Sequence, residues 1–288
     1  MMCAVASAAP PVRLRAMSLA DLLDETFRVY RRQFTVLAGV ALLVLIPGLC
    51  ITLLSGAYRF NPLTPAYWQS FVQSINDPQA LSQFQQRSQQ VMASPFYPLT
   101  YVVGLLLFPF TTAAVYRAAT GAAVGQAQTI GSVLQGTLRR YFGIFGLAIL
   151  AGLTALGGIL IVTIPVVIWV LVRWAVSLPA LLAENVGPTA ALGRSWALVK
   201  DQWWRTLGIV LVLAILTSVV SAAVTAVFSV IAAVFPGGAD LRSALALAGN
   251  TLASGLVAPI FAVGLTLLYL DLRVRKEGLD LEQLARQA

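Results

Sequence analysis

The chain has 288 residues, of which 59% are hydrophobic and only 10% charged, with a mean hydropathy of +0.84. A soluble domain carries about 25% charged residues, so a water-facing surface around the whole chain is excluded and lipid is the solvent for most of it. The net charge is +8 with no His at all, which excludes His-based general bases, Ser-His-Asp and Cys-His nucleophiles and His-ligated metals.

In so apolar a chain a basic excess points to membrane orientation and anionic headgroups, not to nucleic acid. Cys3 and Cys50 are the only cysteines. One falls in the leading tail and one in an apolar segment, so no structural disulfide is expected.

Residues 1–16 read as a disordered N-terminal tail, with Met17 as an alternative start. Ser18 is a good helix N-cap with Asp21 in the first turn. From there Leu19, Leu22, Leu23, Thr26, Phe27 and Tyr30 fall on one face, opposite a charged face that ends in Arg31 and Arg32. This predicts an amphipathic surface helix, acidic first and basic last, as the helix dipole prefers.

It leads into a first span at about 34–54, near the ~20 residues a crossing requires. Residues 57–94 read as a polar outer loop, rich in Gln, Ser, Asn and Pro, with one helix at 77–92 and aromatics suited to an interfacial belt. A second span follows at about 98–119, bent near Pro109.

Thr129 opens another short amphipathic segment closed by Arg139 and Arg140, and a third span covers about 141–163. A turn at Ile164-Pro165 starts a fourth at about 166–183. Gly187-Pro188 breaks into a further surface helix over 189–201. The fifth and sixth spans are predicted at about 206–228 and 243–269, separated by Pro236-Gly237-Gly238.

The expected fold is therefore an all-α polytopic helix bundle of about six spans with surface helices on one face. It comprises a single membrane domain over 17–272 and a charged C-terminal tail over 273–288. Basic residues gather at one side of these spans, leaving only Arg59, Arg87 and Arg242 for the other. The positive-inside rule then puts both termini in the cytoplasm and the polar loop outside.

An internal repeat is visible at an offset of 169 residues. Leu23, Thr26, Phe27, Val29, Arg31, Gln33 and Phe34 lie over Leu192, Ser195, Trp196, Leu198, Lys200, Gln202 and Trp203. The segment opening at Thr129 is a shorter third copy. Repeats of this kind occur in many transporter folds, and any surface helix feeding a span also tends toward the same apolar, aromatic and basic types.

Arg173 falls well inside an apolar run, about 12 Å from the outer end of its span at 1.5 Å per residue. A cation at that depth costs about 2.5–3.5 kcal/mol on insertion scales, so it must face protein, water or a ligand. An ion pair or carbonyl cage locking helices together is the favoured reading, and a contact for an anionic lipid or solute the alternative. Glu184, Arg194, Asp271 and Arg273 are expected to gather at the inner face as a structural network. Asn250 is expected to hydrogen-bond across helices, and Trp203, Trp204 and Arg205 to form an interfacial anchor.

No catalytic constellation is found: no carboxylate dyad, GxSxG elbow, P-loop or HExxH. No catalytic residue, metal site or cofactor is assigned.

Arg173-Trp174, Pro179, Glu184, Gly187-Pro188, Ala191-Leu192 and Arg194-Ser195-Trp196 together resemble the bacterial membrane-domain family named after glycerophosphoryl diester phosphodiesterase. The opening LADLLDETFRVYRRQF and the closing YLDLRVRKEGLDLE are similar to that family's ends. The resemblance implies the bacterial cytoplasmic membrane. In full-length members the hydrolytic chemistry belongs to a separate barrel domain using His, Glu and a metal. With no His here, none of those residues carries over.

The leading functional expectation is a non-enzymatic integral membrane module that binds partner proteins, a second copy of itself (a homo-oligomer) or anionic lipid at its cytoplasmic face, with no nucleic-acid partner. A transporter or permease component for a lipid or small anionic solute is the alternative, and the membrane subunit of a split hydrolase a second.

Overall fold

A computed structural model of the chain describes residues 15–60, 65–156 and 164–278. Every regular element among them is helical, and the fold is an all-α polytopic membrane protein. Five helices are long and apolar enough to cross a membrane: Phe34–Ser55, Phe96–Ala123, Ile164–Glu184, Trp203–Val234 and Asp240–Glu277. A sixth candidate is the pair Ile130–Leu138 and Tyr141–Ala155, bent by 70° at the break between them. The remainder of the predicted third span, 157–163, lies outside the described residues, as do most of the N-terminal tail with Cys3 and the last residues of the C-terminal tail.

Helix α1 (Leu19–Arg32) starts where the sequence asks it to. Ser18 Oγ accepts from the Asp21 amide while the Asp21 carboxylate accepts from the Ser18 amide, a reciprocal capping box. Its buried face is Leu22, Thr26 and Val29. Helix α2 (Phe34–Ser55) follows after Gln33 alone.

The predicted polar loop holds the expected helix, α4 (Pro78–Met92) capped by Asp77, and a second one before it that was not expected, α3 (Pro65–Asn76). They pack as a hairpin. Tyr67, Phe71 and Phe84 meet ring to ring between them, with centroids 6.1–6.3 Å apart. These aromatics thus close a small core between two otherwise polar helices, which is why α3 forms although its composition resembles a loop.

Helix α5 (Phe96–Ala123) carries Pro109 inside it and ends in a buried run of small residues. Helix α6 (Ile130–Leu138) is capped by Thr129 through the same reciprocal pairing, here with Ser132, and α7 (Tyr141–Leu156) follows across Arg139 and Arg140. The predicted fourth span is two helices, α8 (Ile164–Arg173) and α9 (Ser177–Glu184). Pro179 explains the break. It has no amide to donate to the carbonyl of Ala175, and its ring would clash there, so the chain turns over 174–176 and restarts with Pro179 in the first turn.

Asn185 ends α9 in the left-handed region (φ 59°), and Gly187-Pro188 starts α10 (Pro188–Val199). Helix α11 (Trp203–Val234) and α12 (Ala239–Glu277) complete the chain. Helix α12 runs past the predicted end of the sixth span to Glu277, in line with the helical extension expected for the charged tail.

Contacts divide the chain into two compact units. The first is Met1–Ala41, Pro109–Ser218 and Val257–Ala288, and the second is Leu42–Phe108 and Val219–Leu256. In the first, one apolar core runs from Leu22 and Val29 through Ala113–Ala119, Ala180 and Leu181 to Leu265–Leu272 of α12. Small residues let backbones approach: a Cβ on Gly264 would lie 2.7 Å from Leu213 Cδ1, and one on Gly39 2.8 Å from Ile130 Cδ1.

In the second unit Gly249 lies against the Phe228 side chain and Gly255 against Leu42 and Leu45, while Thr100 Oγ1 donates to Ser55 Oγ at 3.1 Å. Large apolar side chains such as Phe108, Ile215 and Val230 stay exposed, as lipid-facing positions must.

Candidate functional site

In the first unit the last turns of α12 take part in six ion pairs among the described residues. Glu184, at the end of α9, accepts Arg194 Nε from α10 on both oxygens, at 2.8 and 2.9 Å, and the Tyr269 hydroxyl of α12 at 2.7 Å. Arg194 reaches Glu277 with its other arm, and Arg273 Nε donates to Glu277 at 2.8 Å while standing 3.7 Å from Glu184. Partial burial works against the Arg194 cation, but its hydrogen bonds to Glu184 and Glu277, and their charges, outweigh that and raise its pKa above the ordinary value. Two carboxylates and two guanidiniums therefore tie α9, α10 and α12 together.

A second cluster surrounds Asp271, which is 0% exposed. One oxygen accepts the Met17 amide at 2.7 Å and the other Arg205 Nη1 at 2.6 Å. Arg275 Nε lies 3.1 Å from both, and Arg205 and Arg275 each also donate to the Met17 carbonyl, at 2.8 and 2.9 Å. The chain entering α1 is thus clamped between the start of α11 and the end of α12. A third contact has Lys276 Nζ donating to Asp201 at 2.9 Å and to the Ala197 carbonyl at 2.6 Å. The Lys276 hydrogen bond, then its charge and those of Lys200 and Arg173, hold the Asp201 carboxyl below the usual range.

Of the four residues expected to form one inner-face network, Glu184, Arg194 and Arg273 come together, while Asp271 belongs to a separate cluster. Reading the sequence alone missed Tyr269, Glu277, Arg205, Arg275 and the Met17 backbone. Two signals were available: Arg273/Glu277 and Asp271/Arg275 are both spaced i,i+4 on one helix.

Arg173 forms no ion pair with a carboxylate among the described residues, although its charge is felt by Asp201. It ends α8, and its guanidinium carbon sits 4.3 Å from the Trp169 ring centroid and 4.4 Å from that of Trp196 on α10. The two indoles stand edge to face at 5.1 Å. Indole faces replace the expected ion pair or carbonyl cage, since a guanidinium is weakly hydrated and stacks well. Its Nε is buried without a hydrogen-bond partner. The Arg173 carbonyl accepts the buried Ser195 hydroxyl at 2.7 Å.

Trp203 Nε1 donates to the Trp169 carbonyl at 3.2 Å, and Trp204 is 78% exposed, as an interfacial ring would be. Asn250 Oδ1 accepts from Ser254 within its own helix.

The repeat persists at the level of burial. Leu22, Thr26 and Val29 of α1 are buried, and so are Ala191, Ser195 and Leu198 at the matching positions of α10. In α6 the pair Val133 and Thr137 repeats the Leu22/Thr26 spacing, again buried. Helices α2 and α11 begin at the aligned residues Phe34 and Trp203.

Cavities open among the described residues of the first unit. One, of about 220 Å³, is lined by Arg117, Thr120, Gln126, Gln128 and Tyr269 with Leu182 and Leu270 among its apolar walls. Another, of about 590 Å³, opens beside Trp169, Lys200, Asp201, Trp203 and Arg205.

No curated protein and no solved structure matches the chain. Residues 147–286, which hold α9, α10 and the side chains of the Glu184 and Asp271 clusters, match the family described as the membrane domain of glycerophosphoryl diester phosphodiesterase. The match does not extend to the opening segment or to a catalytic domain, and it agrees with the resemblance carried by Arg173-Trp174, Glu184, Gly187-Pro188 and Arg194-Ser195-Trp196.

Proposed function

We propose that the chain is a non-enzymatic membrane module that binds anionic lipid through the basic ends of its surface helices, facing the cytoplasm in the cytoplasmic membrane. One observation carries this reading. Every carboxylate in the described part of the first unit except Asp24 is already neutralised: Asp21 by Arg15, Glu25 by Arg28, Glu184 and Glu277 by Arg194 and Arg273, Asp201 by Lys276 and Asp271 by Arg205 and Arg275. Arg31, Arg117, Arg139 and Arg140 are left without a carboxylate partner among the described residues, and Arg173 and Lys200 form no ion pair there, sharing only the field of Asp201. Charges left over at helix ends next to spans are suited to headgroup phosphates, at about 1 kcal/mol per cation near the surface.

The test is lipid retention. The chain purified in gentle detergent from mixed phosphatidylcholine and phosphatidylglycerol is expected to keep the anionic lipid preferentially. The variant with Arg31, Arg139, Arg140 and Lys200 all changed to Gln is expected to lose that preference. Equal retention of both lipids by the unchanged chain refutes the reading.

A further inference from the structure

We infer that the cavity of about 220 Å³ between α5, the α5–α6 connection, α9 and α12 is a specific site for a phosphate-bearing group. This deepens the proposed anionic-lipid reading and rests on it. The cavity is smaller than the roughly 300–1,000 Å³ that holds a drug-sized ligand, so it fits a headgroup or a small free anion and leaves acyl chains outside.

Its polar wall favours an oxyanion. The Arg117 guanidinium has no hydrogen-bond acceptor or carboxylate among the described residues, although it is partly buried at the end of a membrane-crossing helix. Arg140 stands close enough to repel it. A cation disfavoured by burial and by the charge of a second one is costly unless an anion supplies a counter-charge.

The other donors free to turn inward are the side-chain amides of Gln126 and Gln128, both on the cavity wall. The hydroxyls there are already committed as donors, Thr120 to the Tyr116 carbonyl at 2.7 Å and Tyr269 to Glu184 at 2.7 Å. Glu184, the nearest carboxylate through that bond, is held by Arg194 and leaves the field at the cavity positive. A guanidinium fork with amide N–H groups around it offers more donors than a carboxylate needs and matches the oxygens of a phosphate.

Two glycines build the site. A Cβ on Gly136 of α6 would lie 2.5 Å from Arg117 Nε, so the guanidinium packs flat over that residue, and the Gln128 side chain occupies the place of a Cβ on Gly121. The missing side chains let the charged arm and the amide reach the cavity.

The experiment uses the full chain in nanodiscs of phosphatidylcholine, alone or doped with phosphatidylglycerol, and in detergent with inorganic phosphate. Binding is read together with thermal stability for Arg117→Gln, Gly136→Ala and Arg87→Gln, the last on helix α4 of the second unit. Loss of phosphatidylglycerol binding by about tenfold or more in Arg117→Gln, a smaller loss in Gly136→Ala and none in Arg87→Gln supports the site with a lipid headgroup as its ligand. The same pattern with inorganic phosphate supports it with a free anion. Should Arg117→Gln fail to fold, Gly136→Ala, which keeps every charge, carries the test. Anionic-lipid retention unchanged in both Arg117→Gln and Gly136→Ala but lost in the quadruple Gln variant overturns the cavity and leaves the broader reading standing. No anion preference in the unchanged chain overturns both.

Discussion

Asp271→Asn is the sharpest perturbation of the clamp around the entry to α1. The carboxylate is fully buried and accepts from one amide and two guanidiniums. Removing one partner of a buried pair commonly costs about 3–5 kcal/mol. Here the Arg205 and Arg275 side chains are 25% and 32% exposed, so solvent compensates part of the loss, and Asn keeps one acceptor oxygen in the same shape.

Together these bring the expectation to about 2–3 kcal/mol. The assay is denaturant unfolding in mixed micelles, with Asp24→Asn as control, since Asp24 has no partner among the described residues and belongs within about 0.5 kcal/mol of the unchanged chain. Hydrogen exchange gives a local readout, because with the two guanidiniums no longer held by a carboxylate the entry to α1 opens more often and the Met17 amide becomes less protected. A Asp271→Asn chain as stable as Asp24→Asn, with Met17 still protected, would refute the clamp.

Three further outcomes follow from the same geometry. Ser195→Ala strips the Arg173 carbonyl of its buried donor and is expected to cost about 1–2 kcal/mol in the same unfolding assay, whereas Thr26→Val removes only a bond to the Leu22 carbonyl of its own helix and should cost less. Gly264→Ala places a methyl against the buried Leu213 and should lower stability by about 1–3 kcal/mol, visible as a lower midpoint in denaturant. Asp201 has a folded pKa below its ordinary value of 3.8, so its contribution is complete above that value and lost as pH falls through the lower folded pKa. The melting temperature of the unchanged chain should therefore fall more than that of Asp201→Asn on acidification through this window, and parallel curves would remove Asp201 from the account.

Much of the architecture was legible because lipid imposes a simple rule: long apolar runs must be helices. The predicted first span and the observed α2 agree to one residue at each end. The surface helices were legible through caps and periodicity, at Ser18 and Thr129 in particular. What escaped was set by contacts between distant segments. Helix α3 has a loop-like composition and is held by rings from α4. The break after Arg173 depends on Pro179, which the sequence presented as one of several prolines; Pro47, Pro109 and Pro259 lie inside unbroken helices. Arg173 was recognisable as an expensive charge, but its partner was not, because indole faces leave no opposite charge to search for. The cavity at Arg117 was invisible for a similar reason, since its glycine supports lie on the next helix and in the helix end.

The three surface helices bear on how the module acquired its site residues. In α1 and α6 the buried hydroxyl closes back on its own helix, from Thr26 to the Leu22 carbonyl and from Thr137 to that of Val133, at 2.7 and 2.8 Å. In α10 the equivalent Ser195 turns outward to the Arg173 carbonyl. Ser, lacking the Thr methyl, is the smaller residue at that buried position, and the carbonyl it meets lies where α8 has stopped and its last turn needs donors. The neighbouring Trp196, matching Phe27 of α1, brings an indole to the Arg173 guanidinium. One helix pattern thus serves as an ordinary membrane-surface helix twice and as a helix cap and cation holder once. The departure falls in the region that matches the membrane-domain family, beside the break that Pro179 imposes.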